Sequence, residues 1–543
     1  TWFDIRVNKD GWSCRRKRLD VMVCMNPESI DDDIADCSPG TVLLIRDTLV
    51  GHVKRNDLVV YSVPFDKLVL ECCPEIKLRK MVVNIIYVGI LAHLLDIEMS
   101  EIEKAIVNQF GGKEKAIKLN ADAAKYGFAW AQKNITKKHK IGLKRLNKTA
   151  GKIIMDGNAA TALGLMFGGI TVVAWYPITP SSSVAESLIG FLDEYRRDAD
   201  GKATFAVLQA EDELASIGMV LGASWAGARA ATCTSGPGVS LMAEFAGLSY
   251  FAEIPAVIVD VQRMGPSTGL PTRIAQGDIQ AAYYLSHGDT RHIMLFPGNL
   301  KECFEFGAEV LNLSERFQTL VFLMTDLDIG MNNWASEPFQ PLTKPISRGK
   351  VLDAQMLEKL GKFERYGDAE GDGIPFRTLP GTDHPLAPFF TRGSGHNAQA
   401  KYTEKPHDWK ANIDRLRKKL ETARKELPAP VVETQPGATV GLIAYGSSDP
   451  AVQEARHLLK TQHGIATDYL RIRALPPSTS ILDFINKHKS VYLIEQNRDG
   501  QMAGILRDEF PTIGDRVHSI LHYDGSAIEP EGLAAGVVAG EKK

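Results

Sequence analysis

Two prolines bracket a single threonine in the run Trp175-Tyr-Pro-Ile-Thr179-Pro180-Ser-Ser-Ser183. Proline fixes its own φ, so the backbone around Thr179 is stiff and its hydroxyl is presented in a set direction. Ser183 and Glu186 follow at the S-x-x-E spacing of a capping box. That spacing predicts a helix anchored at Ser183, with its first N–H groups turned toward the loop where an anion could sit. A second helix is predicted from Glu213 to Ala228, with Gly218, Gly222, Ala223 and Ala226 as small residues that let it lie close to a sheet. Glu211 and Glu213 stand at its start, where the helix dipole makes a buried carboxylate least costly. Arg263 follows a strand-like run from Ala256 to Val261, at the carboxyl end where open α/β sheets bind ligands. The stretch from Thr234 to Gly238, with Gly236 at its centre, is a further turn after a strand that allows close backbone approach.

These loops need a scaffold, and the chain from Ile153 to about Trp334 supplies one. Helical patterns at 157–167, 183–195 and 300–313 alternate with strand patterns at 170–176, 204–209, 228–234, 256–261, 292–295 and 319–325, the alternation of a doubly wound parallel sheet. Before it, strand patterns at 2–7, 19–25, 41–45 and 58–63 lead into helical periodicity over 79–95 and a capped helix at Ser100 and Glu103. A basic stretch from Lys133 to Lys152 reads as a solvated linker. After the central sheet, residues 341–430 turn to Gly, Pro, Asp and His and read as a connector, a kind of segment that is often functional or mobile, with one charged helix over 408–426. Strand and helix patterns return at 439–445, 449–463, 467–472, 481–488 and 491–495.

At 543 residues the chain is too long for one core. Its net charge of −3 argues against a general nucleic-acid binder, and a reading of no membrane span and no signal peptide makes the expectation a cytoplasmic protein. Seven cysteines lie at 14, 24, 37, 72, 73, 233 and 303. None has the C-x-x-C spacing of a zinc or iron-sulfur site, so no metal ligand is assigned to this chain.

Four stretches carry a resemblance, in order along the chain: Tyr176-Pro-Ile-Thr-Pro-Ser-Ser182, Gln209-Ala-Glu-Asp-Glu-Leu-Ala-Ser-Ile-Gly218, Thr234-Ser-Gly-Pro-Gly238 and Arg263-Met-Gly-Pro-Ser-Thr-Gly-Leu-Pro-Thr272. Together they resemble the α subunit of the 2-oxoacid:ferredoxin oxidoreductases, and the whole order resembles the fused γ-α form of the 2-oxoglutarate enzymes. The resemblance implies an α/β multidomain fold. A γ-type α/β domain would occupy residues 1–135, a pyrimidine-binding domain for thiamine diphosphate 153–340, the connector 341–430, and a transketolase C-terminal-like domain 436–543. The γ domain lacks the family's glycine-rich start, so either the amino end was cut or the domain is degenerate.

The resemblance also implies the chemistry. Thiamine diphosphate needs a carboxylate at N1′ of its aminopyrimidine, and a glutamate in a dry pocket with a raised pKa suits the task. Glu213 fits the family position better than Glu211. Arg263 and Thr179, with Thr272 close by, would hold the 2-oxoacid carboxylate, and Pro180 and Gly236 would border the cofactor. Magnesium is usually held by Gly-Asp-Gly and a later asparagine. Gly371-Asp372-Gly373 with Asn397 imitates that pattern, but Pro375 and Pro380 break the helix it requires. Magnesium and a [4Fe-4S] cluster are therefore expected in a β partner that shares the cofactor site, in an (αβ)2 assembly that reduces ferredoxin and uses coenzyme A. The stretch Arg392-Gly-Ser-Gly-His396 could cover the substrate or touch coenzyme A. The implied reaction is oxidative decarboxylation of 2-oxoglutarate to succinyl-CoA. Its alternatives are the same chemistry on pyruvate or branched-chain 2-oxoacids, or a non-catalytic scaffold for the β chain.

Overall fold

The computed structural model describes residues 3–542. They form two compact units, Arg16–Lys148 and a larger one that joins residues 3–15 to residues 149–542.

In the smaller unit, strands Val21–Cys24, Val42–Arg46 and Val59–Val63 make a three-stranded parallel sheet in that order. The strand expected over 2–7 is not there: Trp2 lies outside the described residues, and residues 3–7 are irregular. Helix Arg79–Leu95 packs against helix Glu114–Asn134 through two glycines. A Cβ on Gly89 would stand 2.0 Å from the Ala124 carbonyl oxygen, and one on Gly127 would stand 2.2 Å from that of Ile86. Only glycine permits such an approach. The stretch Ile76–Leu95 is long and apolar enough, by length and composition, to cross a membrane. That corrects the sequence expectation of no such run, although in the structure its buried face is taken up by the neighbouring helix. The helix near Ser100 starts instead at Met99 behind Glu98, with no side-chain cap. The basic stretch is less free than a linker: Lys137 pairs with Asp96, Arg145 with Glu98 and Glu101, and the Leu143 N–H donates to the Leu95 carbonyl at 2.7 Å.

The larger unit is built on a seven-stranded sheet. Its order is Ala474–Leu475, Ile293–Leu295, Leu320–Asp326, Ala256–Gln262, Ala230–Thr234, Val172–Trp175 and Ala206–Gln209. All pairings are parallel except that of the two-residue edge strand Ala474–Leu475, which is antiparallel. The two central strands, Ala256–Gln262 and Leu320–Asp326, are buried at every position, as expected of a sheet covered on both faces. Val257, Val259 and Val261 enter one core with Leu188 and Trp175, while Ala256 and Ile258 enter the other with Ile217 and Met242. A five-stranded sheet forms the second layer system, in the order Val431–Glu433, Thr467–Ile472, Val440–Tyr445, Ser490–Glu495 and Val517–Leu521. Residues 3–15 join this part of the molecule. Arg6 donates to Glu454 at 2.6 and 2.9 Å, and the Cys14 thiol donates to the same carboxylate at 3.0 Å.

The connector packs on the central sheet. Helix Pro406–Glu426 buries Leu416, Leu420 and Ala423 in the core of the central sheet, together with Ile374. His396, in the stretch expected to cover the substrate or touch coenzyme A, is 1% exposed and lies against Tyr366 with the rings tilted and their centroids 3.9 Å apart.

Candidate functional site

The strands of the central sheet deliver their carboxyl-end loops to one edge, and the four motif loops all start there. Strand Val172–Trp175 ends in the Thr179–Pro180 loop, and the helix beyond it begins at Ser182. The capping box expected at Ser183 is not made. Ser181 takes the cap position and turns its hydroxyl back to the Ile178 carbonyl at 3.1 Å, while the Ser183 hydroxyl accepts from Asn158. Thr179 is exposed and Pro180 buried. The Thr179 hydroxyl has no hydrogen-bond partner among the described residues.

Glu211 and Glu213 separate cleanly. Glu211 points outward, whereas Glu213 is 7% exposed at the first position of helix Glu213–Trp225, behind the N-cap Asp212 that accepts from the Ala215 N–H at 2.7 Å. Gly238 makes room for it: a Cβ there would lie 2.8 Å from Glu213 Cγ, 3.0 Å from Oε1 and 2.0 Å from the Thr234 hydroxyl. The Glu213 carboxylate has no protein hydrogen-bond partner among the described residues. A buried carboxylate left bare in this way fits a group that must meet a ring nitrogen of a cofactor.

Arg263 leaves strand Ala256–Gln262 and ties two of the motif loops together. One terminal nitrogen donates to the Thr179 carbonyl at 2.6 Å and the other to the Thr268 carbonyl at 2.9 Å. Its Nε is buried without a partner. A guanidinium carries five N–H donors, so the residue keeps donors for a ligand. The loop that ends at Thr272 is pinned on itself, with the Leu270 N–H donating to the Met264 carbonyl at 2.9 Å. Gly269, at φ +53°, is forced there because a Cβ would sit 1.7 Å from that carbonyl oxygen. Thr272 is exposed.

Gly236 is covered by a side chain rather than left open. The Asp278 carboxylate would be 2.5 and 2.7 Å from a Cβ at this position. Asp278 brings with it a second acid, Asp260, which is fully buried and has neither oxygen partnered. Burial, and then the neighbouring Asp278, push the Asp260 carboxyl well above the usual range. Burial lifts Asp278 to about 7 against the pull of Arg263. Neither acid was singled out from the sequence. A lone aspartate inside the apolar run of strand Ala256–Gln262 was the available signal.

Asp372 is occupied by Lys350 at 2.7 Å and Arg316 at 3.3 Å, and it also receives the Ile374 N–H. Asn397 caps its own turn through the N–H groups of Gln399 and Lys401. Each of the two serves a local turn in the connector.

The family described as "Pyruvate flavodoxin/ferredoxin oxidoreductase, thiamine diP-bdg" matches residues 164–360, and "Pyruvate ferredoxin/flavodoxin oxidoreductase" matches residues 1–130. The α subunit of 2-oxoacid:ferredoxin oxidoreductase 2 from Aeropyrum pernix is 33% identical over 477 residues, 85% of this chain and 71% of that protein. The 2-oxoacid:ferredoxin oxidoreductase α subunits of Sulfolobus sp and Saccharolobus solfataricus are spanned over 64% and 79% of their lengths. The 2-oxoglutarate synthase subunit KorA of Methanothermobacter marburgensis is 32% identical over 389 residues, 67% of this chain and 95% of that one. Among solved structures, a 2-oxoglutarate:ferredoxin oxidoreductase from Magnetococcus marinus, with 2-oxoglutarate, coenzyme A and succinyl-CoA bound, superposes with a TM-score of 0.85 at 29% identity. That match covers 96% of this chain and 88% of the other. Four motif loops at one sheet edge and a third of the sequence shared along most of the chain make it a member of the 2-oxoacid:ferredoxin oxidoreductase family, as an α subunit.

Proposed function

We propose that the chain is the α subunit of a cytoplasmic 2-oxoglutarate:ferredoxin oxidoreductase. It would work in an (αβ)2 assembly with a β chain that carries magnesium, the diphosphate half of the cofactor site and a [4Fe-4S] cluster. In the reaction the C1–C2 bond of 2-oxoglutarate breaks and C1 leaves as carbon dioxide. The succinyl group passes to the sulfur of coenzyme A, the thiol proton is released, and two electrons leave one at a time to ferredoxin. When bound, thiamine diphosphate supplies a nucleophilic carbon and takes up the electron pair of the breaking bond.

The residues of this chain bind and orient. Glu213 holds and returns a proton at N1′ of the aminopyrimidine, a task its buried, bare carboxylate suits. Pro180 and Gly236 border the ring, with the Asp278 carboxylate over Gly236. Arg263, Thr179 and Thr272 grip the carboxylate of the 2-oxoacid, using the guanidinium donors not spent on the two loop carbonyls.

The observation that carries the reading is the bare Glu213 carboxylate at the edge where the motif loops of this family meet. The choice of 2-oxoglutarate is supported by the ligand named for the Magnetococcus structure and by the KorA relative. A broader 2-oxoacid preference is the second reading, favoured by the general name of the Aeropyrum relative. Co-expression with the β chain and assay of ferredoxin reduction against 2-oxoglutarate, pyruvate and branched 2-oxoacids tests both. Reduction with 2-oxoglutarate alone supports the first, comparable rates with several acids support the second, and no coenzyme A-dependent reduction with any acid overturns both.

A further inference from the structure

The Thr179–Pro180 loop is held from a second side by a residue that contributes no atom to the carboxylate grip. Asn158 is the second residue of helix Gly157–Phe167 and is fully buried. Its amide nitrogen donates to the Pro180 carbonyl at 2.9 Å and to the Ser183 hydroxyl at 2.8 Å. A carbonyl oxygen can only accept, so the orientation of the amide follows from the contact itself. A Cβ on Gly330 would stand 2.6 Å from Asn158 Oδ1, and one on Gly157 would stand 2.3 Å from the Ile329 carbonyl oxygen, so this helix start is pressed against the backbone of residues 329–330. Two successive carbonyls of the loop, those of Thr179 and Pro180, are thus held by Arg263 and by Asn158, side chains from different elements.

We propose that Asn158 is a positioning residue for substrate recognition: by holding the Pro180 carbonyl and Ser183 it sets the direction of the Thr179 hydroxyl. The inference rests on the proposed role of Thr179 in gripping the 2-oxoacid. Held donors of this kind lower the cost of ordering a loop at the moment of binding, and a displacement of about 1 Å in such a site can cost about 100-fold in rate.

The test is a double-mutant cycle in the assembled α/β enzyme with 2-oxoglutarate, reading KM and kcat separately for wild type, Asn158→Ala, Thr179→Val and the double variant. Asn158→Ala should lower kcat/KM by about 10- to 100-fold, mostly by raising KM. The double variant should fall no more than about twofold below Thr179→Val, since the two residues act as one unit. A residue that only stabilised the fold would lower the active fraction, and so kcat, while leaving KM unchanged. Should Asn158→Ala fail to assemble, Asn158→Asp is isosteric and can still accept from Ser183 but cannot donate to Pro180, and it should raise KM in the same way. A wild-type KM in the Asn158 variant, or additive losses in the double variant, would overturn the proposal while leaving the role of Thr179 intact. A wild-type kcat/KM in Thr179→Val would instead remove the role of Thr179, and the positioning role with it.

Discussion

Two buried carboxylates in the same unit are treated in opposite ways. Glu253 follows helix Ala243–Ala252 and is saturated. Arg415 donates to its two oxygens at 3.0 and 2.6 Å, Lys419 adds a contact at 2.8 Å, and Arg365 takes the main-chain carbonyl. Burial works to raise its pKa, but Arg415 and Lys419 outweigh it and hold the carboxyl at about 2. Asp260 is equally buried on strand Ala256–Gln262, yet neither of its side-chain oxygens has a partner among the described residues, and it is driven toward its neutral form. Glu253 fastens the connector helix to the central sheet, whereas the acids at the sheet edge, Asp260, Asp278 and Glu213, make no ion pair among the described residues. A protein that can saturate one buried carboxylate with two cations and leaves others bare close to Arg263 is keeping polar capacity for something other than its own fold.

Breaking the saturated side of this contrast should have the largest effect. Glu253→Gln leaves Arg415 and Lys419 buried and unpaired, and it is expected to cost about 3–5 kcal/mol of stability, read as a fall in thermal midpoint or denaturant midpoint. The turnover of the protein that remains folded should be unchanged. The pH dependence has a definite sign: a folded-state pKa below the ordinary glutamate value contributes stability above that value, which is lost as pH falls toward about 2. In the variant that acid-side loss should be smaller.

The site side is sharpened by Arg263→Lys. An ammonium cannot reach the Thr179 and Thr268 carbonyls in the present geometry and still present a two-pronged grip. A loss of about 2–5 kcal/mol in kcat/KM is expected, with little change in thermal midpoint. If Arg263 meets the distal carboxylate, 2-oxoglutarate should suffer far more than pyruvate; if it meets C1, both should fall together. The smallest effect should come from Asp278→Asn. Asp278 is half-buried and its pKa is raised to about 7 by burial, offset by Arg263. Its neutral form is therefore the stabilising one, and that contribution is lost as pH rises from about 4 through 7. The amide stays neutral, so the thermal midpoint of the variant should exceed that of wild type at pH 8, and the gain should vanish near pH 4.

The contrast also explains which parts of the molecule could be read from the chain. Helices Arg79–Leu95, Gly157–Phe167 and Asp449–His463 begin and end where their periodicity does, because an apolar face or a small-residue stripe runs their whole length. The caps could not be read so well. Ser181, Ser182 and Ser183 offer the same chemistry, and what decides among them is Asn158, a residue on another helix. The packing of the connector is not legible because Gly, Pro and His carry no period, and it depends on Arg415 and Lys419 meeting Glu253 far along the chain. Within the site, the inward Glu213 and the outward Glu211 were separable only through a family motif. Asp260 and Asp278 come together only once strand Ala256–Gln262 and the loop that ends at Asp278 are in place.

The most direct test of the account is the exchange of the C2 proton of thiamine diphosphate for deuterium in the assembled α/β enzyme. If the bare carboxylate of Glu213 is kept for N1′, Glu213→Gln should assemble and bind the cofactor but slow exchange by about 100-fold or more, while Glu211→Gln exchanges at the wild-type rate. Exchange at the wild-type rate in Glu213→Gln, with the cofactor demonstrably bound, would contradict it.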